Sequence, residues 1–137
     1  MKRSILLLIV LSFFLGFNNS DTEDKLSYFR YGNIQELDKY LSYLKQKVKE
    51  SPDLLLEEIH YPFSLYEEGE LMRIYTTKAE AKDEMKNILP PKVISAIQDQ
   101  KVDNIDVDYQ GIIIGEGQVW LDYDDGYSCY YIKAISK

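Results

Sequence analysis

The chain has very few of the residues that usually carry metal or nucleophile chemistry. Its 137 residues include one cysteine, one histidine and one tryptophan. A metal centre, or a nucleophile with its base, needs several such side chains close together. We therefore predict no metal site, no cofactor and no catalytic set. A single cysteine also excludes an internal disulfide, so a hydrophobic core has to stabilise the fold.

Positive charge is scarce as well. Sixteen lysines and arginines face 23 aspartates and glutamates, which gives a formal net charge of −7. Binding to nucleic acid or to an anionic membrane surface requires a basic patch, so we expect no nucleic-acid partner. Hydrophobic residues make up 45% of the chain, and only 4 residues are proline. This composition and length are typical of one globular domain.

The beginning of the chain has the layout of a secretory signal peptide. Lys2 and Arg3 precede an apolar run from Ile5 to Leu15. The run is shorter than the roughly 20 residues of a membrane-spanning helix, although an uncleaved anchor remains the alternative. We predict that residues 1–20 are removed and that the protein is periplasmic or secreted, with no stable membrane anchor after cleavage. Loss of the two cations changes the formal net charge from −7 to −9.

Hydrophobic periodicity predicts a long helix after a short flexible segment. Residues 21–32 form the predicted flexible N-terminal segment, and 33–137 the predicted single domain. Apolar residues recur three and four positions apart from Ile34 to Val48, which indicates a helix of about four turns. Ser51-Pro52 ends it, because proline disfavours helical geometry in the residue before it.

The remaining chain predicts strands in two blocks with short helices between them. Apolar and polar residues alternate from Ile59 to Leu65, which is typical of a strand with one buried face. Leu71 to Tyr75 is the predicted returning strand. Thr77 and Glu80 have the spacing of a capping box, so a helix should follow them. Strand-like segments fill the chain after residue 101.

Helices and strands in separate blocks favour an α+β fold over a doubly wound parallel sheet. We predict a long N-terminal helix and short middle helices packed on one curved antiparallel sheet. Trp120 and the apolar helix residues Ile34, Leu37, Leu41 and Leu44 should share the core between helix and sheet.

The element order, with the segments EIHYPF at 58–63 and YQGIIIGEGQVWL at 109–121, resembles small exported members of the nuclear transport factor 2-like superfamily. The resemblance covers roughly Asn33 to Ile135 and implies a cone-shaped α+β fold enclosing a cup. Enzymes of this superfamily place Asp, Tyr or His in the cup for proton transfer, and other members look like immunity proteins of toxin systems. No catalytic constellation of these enzymes matches this chain, so we transfer none.

The single histidine and cysteine predict structural roles. Strand alternation places His60 opposite Ile59 and Tyr61, on the face away from the main core. Cys129 lies in an aromatic segment and is interpreted as a buried small hydrophobic residue in a strand. An intermolecular disulfide or a reactive thiol is the alternative for Cys129.

Two acidic stretches imitate calcium loops only in part. Asp106 and Asp108 match the opening of an EF-hand loop, but Gly117 occupies the twelfth position, where a bidentate carboxylate is required. The stretch that begins at Asp122 has Lys133 at the matching position. We interpret both stretches as turns between strands.

Tyrosine is abundant, and it is concentrated near the end of the chain. Exposed tyrosines favour protein interfaces, and acidic neighbours favour a basic partner. The predicted binding residues are Trp120, Tyr123, Asp124, Asp125, Tyr127, Tyr130 and Tyr131. We therefore expect an exported, non-enzymatic binding protein for a basic protein partner, such as a toxin. The alternative is a small apolar ligand in the cone cavity, held by a carrier or by a cyclase- or isomerase-like enzyme. Tyrosines that fill a curved sheet are the structural explanation for the same pattern.

Overall fold

The computed structural model describes residues 21–137, so the predicted signal peptide lies outside the described residues. Residues 21–29 form a helix, α1, in place of the flexible segment expected over 21–32. Leu26 is fully buried and Thr22 is 6% exposed. Because these two side chains lie one turn apart, one face of α1 packs against the rest of the molecule.

Along the chain, two helices precede a hairpin of two strands, and three short helices then precede four strands. After α1 come α2 (Ile34–Glu50), β1 (Ile59–Glu67), β2 (Glu70–Tyr75), α3 (Lys78–Asp83), α4 (Met85–Ile88), α5 (Pro91–Asp99), β3 (Asp106–Asp108), β4 (Gly111–Ile114), β5 (Val119–Asp124) and β6 (Cys129–Ser136). Two 3₁₀ segments, Pro52–Glu58 and Val102–Asn104, join helices to strands. The α+β class is confirmed.

All six strands form one sheet, in the order β2-β1-β6-β5-β4-β3. The sheet is mixed, because β1 and β6 run parallel while all other neighbours are antiparallel. The prediction of a purely antiparallel sheet is therefore wrong. The chain leaves the β1–β2 hairpin through three helices, and the fourth strand after them, β6, returns beside β1 and runs in the same direction. Sequence spacing alone does not show which strand becomes the neighbour of β1.

A row of paired apolar residues defines the inner face of the sheet. Its members are Val107, Ile112, Leu121, Ile132 and Ile59, each the register partner of the next. Each of the five is at most 5% exposed. We call these five residues the inner row. They belong to one hydrophobic core with the buried side chains of α2 and α5.

The helix α2 lies over the inner face because its buried residues repeat with helical spacing. Leu37, Leu41, Leu44 and Val48 are its buried residues. The Asn33 side chain accepts the Glu36 N–H at 2.9 Å and caps the helix start. Burial of each leucine side chain contributes about 1.5–3 kcal/mol. The helix contains the predicted apolar stripe from Ile34 to Val48 and ends before Ser51-Pro52.

The predicted helix after Thr77 is divided in two. Its first part ends at Asp83, and Glu84 has φ −116° and ψ 26° before the second part begins at Met85. The Thr77 hydroxyl accepts the Glu80 N–H at 3.3 Å, as the capping box predicts. The carboxylate of Glu84 accepts hydrogen bonds from the β2 side chains of Arg73 and Tyr75.

Trp120 does not belong to the core between helix and sheet, so this prediction is wrong. In β5 the buried residues are Val119 and Leu121, and Trp120 between them is half-buried on the opposite face. Successive side chains of a strand point to opposite faces. Since Leu121 is in the inner row, Trp120 lies on the outer face.

Candidate functional site

A second row of register partners crosses the outer face of the sheet. Its members, from β3 to β2, are Asp106, Ile113, Trp120, Ala134, Ser64 and Ile74. We call these six residues the outer row. All of them are half-buried or exposed, and Ile74 is 50% exposed. The centre of the outer face is therefore apolar without being part of the core.

A depression of about 500 Å³ opens beside the centre of the outer row. We call it the outer depression. Its lining residues are Tyr66, Gly69, Tyr109, Gln110, Trp120, Lys133, Ala134 and Ser136. Tyr109 is 77% exposed. The indole N–H of Trp120 donates to the Gly117 carbonyl at 2.9 Å, which fixes the ring at this position. The depression thus combines aromatic walls with a few hydrogen-bonding groups, as recognition surfaces do.

A polar cluster lies beside the outer row on β1, β5 and β6. The His60 and Tyr131 rings stack with centroids 3.7 Å apart and an interplanar angle of 8°. Asp122 is the register partner of Tyr131, and the Lys133 ammonium lies 3.9 Å from the Asp122 carboxylate. Partial burial raises the pKa of the Tyr131 phenol, and the negative charges of Asp122 and Asp124 raise it further. The Tyr131 phenol is therefore protonated near neutral pH, as an ordinary tyrosine is. His60 is exposed on the face away from the core, as predicted.

Acidic residues surround the outer face. Glu67, Glu68 and Glu70, which we call the hairpin glutamates, are all exposed at the β1–β2 turn. Asp106 is exposed at the β3 end of the outer row, and Asp125 in the β5–β6 turn. Within residues 21–137 none of these five carboxylates forms an ion pair. The outer face consequently has a negative border.

The structure brings part of the predicted binding set to this face. Trp120 and Tyr131 lie on it, in the centre and in the polar cluster. The Asp124 carboxylate accepts the N–H groups of Gly126 and Tyr127 at 2.9 and 3.2 Å, which closes the β5–β6 turn. Asp125 and Tyr127 are exposed in the same turn, and Tyr127 is 82% exposed.

The other two predicted binding residues, Tyr123 and Tyr130, lie on the inner side. Tyr130 is 7% exposed, and its hydroxyl donates to the Tyr31 carbonyl at 2.7 Å. The Tyr123 hydroxyl donates to Glu36 of α2 at 3.1 Å. Burial, followed by the charge of Glu36, raises the pKa of the Tyr130 phenol. These two rings connect the sheet to the start of α2, so they are structural and cannot share a surface with Trp120.

A second polar cluster joins α2 to the first 3₁₀ segment. The Tyr40 hydroxyl donates to Glu58 at 2.9 Å, and Lys47 lies 3.6 Å from the same carboxylate. Burial, then the charge of Glu58, raises the pKa of Tyr40 far above its usual value. A phenol with such a pKa does not act as a general acid or base near neutral pH. The cluster connects α2 to the first 3₁₀ segment.

The single cysteine is not buried, contrary to prediction. Cys129 is the first residue of β6 and is exposed, because it pairs with Asp124, the last residue of β5, at the end of the sheet where the β5–β6 turn begins. Within residues 21–137, no group of three or more His, Cys, Asp and Glu side chains is arranged to hold a metal ion.

Several residues of the outer face do not appear in the predicted binding set. They are Ile113, Ala134, Ser64, Ile74, Tyr66 and Tyr109. The run Ile112-Ile113-Ile114 contains a usable signal, because three successive apolar residues in a strand must place at least one on each face. Leu71, Met72 and Ile74 of β2 are each at least 50% exposed, and no periodicity in the sequence indicates their exposure.

Comparison with protein-family models, with curated proteins and with solved structures finds no match. No helix among the described residues is both long and apolar enough to cross a membrane.

Proposed function

We propose that this chain is an exported, non-enzymatic binding protein that recognises a basic protein partner through the outer face of its sheet. The observation that carries the proposal is the outer row, which places apolar side chains of four of the six strands outside the core: Ile113, Trp120, Ala134 and Ile74. An apolar surface with a polar border is typical of a protein interaction site.

The centre of the outer face supplies anchoring groups for a partner. Trp120 is fixed by its bond to Gly117, and Ile113 is its register partner. Tryptophan and tyrosine contribute large contact areas at a low entropic cost, and they are enriched among the residues that dominate binding energies. The outer depression beside Trp120 has room for one side chain of the partner.

The border of the outer face supports a basic partner. The hairpin glutamates, Asp106 and Asp125 are exposed and form no ion pair with any described residue. The chain also has a formal net charge of −7. Complementary charge accelerates encounter and selects among partners.

The packing of the inner face favours binding over catalysis in a cup. Leu37 of α2 and the inner-row residues Leu121 and Ile132 are fully buried in one core. The Tyr130 hydroxyl, which could act in an enzyme of this shape, is bonded to a backbone carbonyl at 2.7 Å. The outer depression, in contrast, opens on the side of the sheet opposite to this core.

Site-specific photo-crosslinking tests the proposal. A photoreactive phenylalanine analogue at Ile113 in the outer row should capture a basic protein when the full-length chain is expressed in its source organism. The same analogue at Ile94, half-buried on α5, is the matched control. The proposal is wrong if both positions capture the same proteins, or if the purified partner binds equally well to the Trp120→Ser variant.

Charge reversal tests the electrostatic part. Asp106→Lys with Asp125→Lys should slow association with the captured partner and weaken its dependence on salt, because border charges act mainly on encounter. Asp124 is unsuitable for this experiment, since its carboxylate closes the β5–β6 turn. His60→Ala should leave association unchanged. Equal association rates for the double variant and the wild type would contradict a basic partner.

Export and the finer fold are also proposals. Intact mass of the protein recovered from the periplasm or medium should lack residues 1–20, whereas a full-length, membrane-retained product would exclude a cleaved signal peptide. The cone of the nuclear transport factor 2-like superfamily is supported by a helix before the hairpin and four consecutive strands after the middle helices. An experimental structure with a flat sheet would contradict that fold.

A further inference from the structure

The strand β2 is an edge of the sheet. In the part of the chain that the structure describes, β1 is its only hydrogen-bonding neighbour. The N–H and C=O groups on its other side are therefore available to another strand. Proteins usually protect such an edge with lysine, with proline or by covering it.

Protection of this edge is weak. The sequence of β2 is ELMRIY, which contains neither lysine nor proline. Its one cation, Arg73, forms an ion pair with Glu84 and lies over the Tyr75 ring at 4.6 Å. This inward-pointing charge and the bulge at Met72 are the two protective features of the strand, and neither places a cation on its exposed side. Met72 has no partner in β1, so the only irregularity is a bulge near the turn.

The side chains of the edge are apolar and exposed. Leu71, Met72 and Ile74 are 51%, 55% and 50% exposed. A single exposed apolar residue needs no explanation. Three of the 6 residues of β2 are therefore both apolar and exposed. Ile74 is also the last member of the outer row, so a strand added beside β2 would extend that row.

Charge indicates what such a strand should carry. The hairpin glutamates lie where β2 begins, and none of them pairs with a described residue. A second copy of this chain would bring another formal charge of −7 to the same edge. An extended segment with alternating apolar and basic residues would instead pair its cations with these carboxylates.

We propose that β2 binds an extended basic and apolar segment of the partner as a seventh strand of the sheet. The proposed function supplies the basic character of the partner, and the exposed edge supplies the mode of binding. Backbone hydrogen bonds give such a complex its affinity, and side-chain contacts give it its specificity. The apolar side chains of the segment lie beside Ile74 and Leu71, and its cations lie near the hairpin glutamates.

The experiment uses a synthetic peptide of alternating valine and lysine with the length of β2. It is titrated into isotope-labelled protein that has been purified after expression of the full-length chain. Chemical shifts and amide hydrogen exchange are followed by NMR. We expect saturable shifts and slower exchange in β2, with little change in β3 at the other edge. A valine–glutamate peptide and a valine–lysine peptide with alternate N-methyl groups should not bind.

Two lysine variants provide a matched comparison. Ile74→Lys places a cation on the edge and should weaken peptide binding by about tenfold or more. Tyr28→Lys makes the same change of charge on α1, outside the sheet, and should leave binding unchanged. Both residues are at least half exposed, so both variants should fold, as circular dichroism can verify.

The possible outcomes separate this proposal from the proposed function. Absence of binding by the valine–lysine peptide overturns edge binding, and so does equal binding by the valine–glutamate peptide. Peptide shifts around Trp120 without protection in β2 also overturn it, but they leave recognition through the outer face intact. Slower exchange in β2 that depends on protein concentration alone identifies a second copy as the occupant and overturns the proposal.

Discussion

Replacement of Tyr130 by phenylalanine tests how the sheet is joined to the start of α2. The Tyr130 hydroxyl donates to the Tyr31 carbonyl at 2.7 Å and lies 3.3 Å from the Asn33 carbonyl. The Asn33 carbonyl keeps its bond from Leu37 N–H at 3.0 Å. The Tyr31 carbonyl has no second donor among the described residues, so Tyr130→Phe leaves it buried and unpaired.

The expected loss of unfolding free energy is about 1–3 kcal/mol, the cost of an unsatisfied buried polar group. For a chain of this size, each 1 kcal/mol lowers the midpoint of thermal unfolding by about 4 °C. Urea unfolding followed by circular dichroism measures the loss, and the denaturant slope should not change. Tyr127→Phe, in which an 82% exposed ring loses its hydroxyl, is the control and should stay within about 0.5 kcal/mol of wild type.

The same variant should change the response to alkaline pH. Because burial raises the pKa of Tyr130 in the folded protein, unfolded Tyr130 loses its proton first as the pH rises above about 10. Stability associated with this group is present below that pH and is lost at about 1.4 kcal/mol per pH unit above it. The difference between wild type and Tyr130→Phe should therefore shrink between about pH 10 and pH 11. Equal stability of the Tyr130 and Tyr127 variants at neutral pH would refute the hydrogen-bond argument, and a constant difference would refute the pH argument.

Three further predictions concern the core, the residues that precede α2 and the outer face. Leu41→Ala should cost about 2–5 kcal/mol in urea unfolding, and an unchanged midpoint would mean that α2 does not pack on the inner face. Gly32 has φ +75°, and a Cβ there would lie 2.5 Å from the Tyr130 hydroxyl. Gly32→Ala should therefore destabilise by more than about 1 kcal/mol, and its cost should fall in the Tyr130→Phe background, whereas strict additivity would argue against the contact. Trp120 fluorescence in the folded protein should be quenched more strongly by the cation caesium than by the anion iodide, because acidic residues border the outer face. Stronger quenching by iodide would contradict a negative potential at this face.

The sequence predicts well those elements in which apolar residues recur with one clear spacing. The helix Ile34–Glu50 has an apolar stripe, a capping asparagine and a following proline, and all three agree with the structure. The strand Ile59–Glu67 alternates because one face is buried, and His60 accordingly lies outside the core. Patterns of this kind depend only on residues that are close in sequence, so they can be recognised before the tertiary structure is known.

The wrong predictions concern features that depend on pairing between strands far apart in the sequence. Trp120 lies between two apolar residues, Val119 and Leu121. Because successive side chains of a strand point to opposite faces, the sequence shows only that Trp120 and these two neighbours lie on different faces. Which face carries the helices depends on the inner row, whose members come from residues as far apart as Ile59 and Ile132. The parallel pairing of β1 with β6 is non-local for the same reason.

Tyr130 and Tyr131 show the same difficulty at adjacent positions. Both are aromatic residues near acidic neighbours, and the sequence predicts that they share one surface. The strand directs Tyr130 to the start of α2 and Tyr131 to the polar cluster with His60. Residue type alone does not show on which side of the sheet a tyrosine lies, because the face of the strand decides this.

The partial burial of the outer face limits how tightly it can bind through apolar contact alone. Full burial of a large apolar side chain contributes about 1.5–3 kcal/mol, and a half-exposed one has about half of that left to gain. Leu71 and Ile74, which are 51% and 50% exposed, therefore supply roughly 1.5–3 kcal/mol. Association costs about 4–15 kcal/mol in lost translational and rotational freedom. Apolar contact does not offset this cost, so a stable complex also needs the free backbone edge of β2 and the charges of the hairpin glutamates. Affinity for the partner should consequently fall with added salt, because these exposed charges are screened within about 8–10 Å at physiological ionic strength.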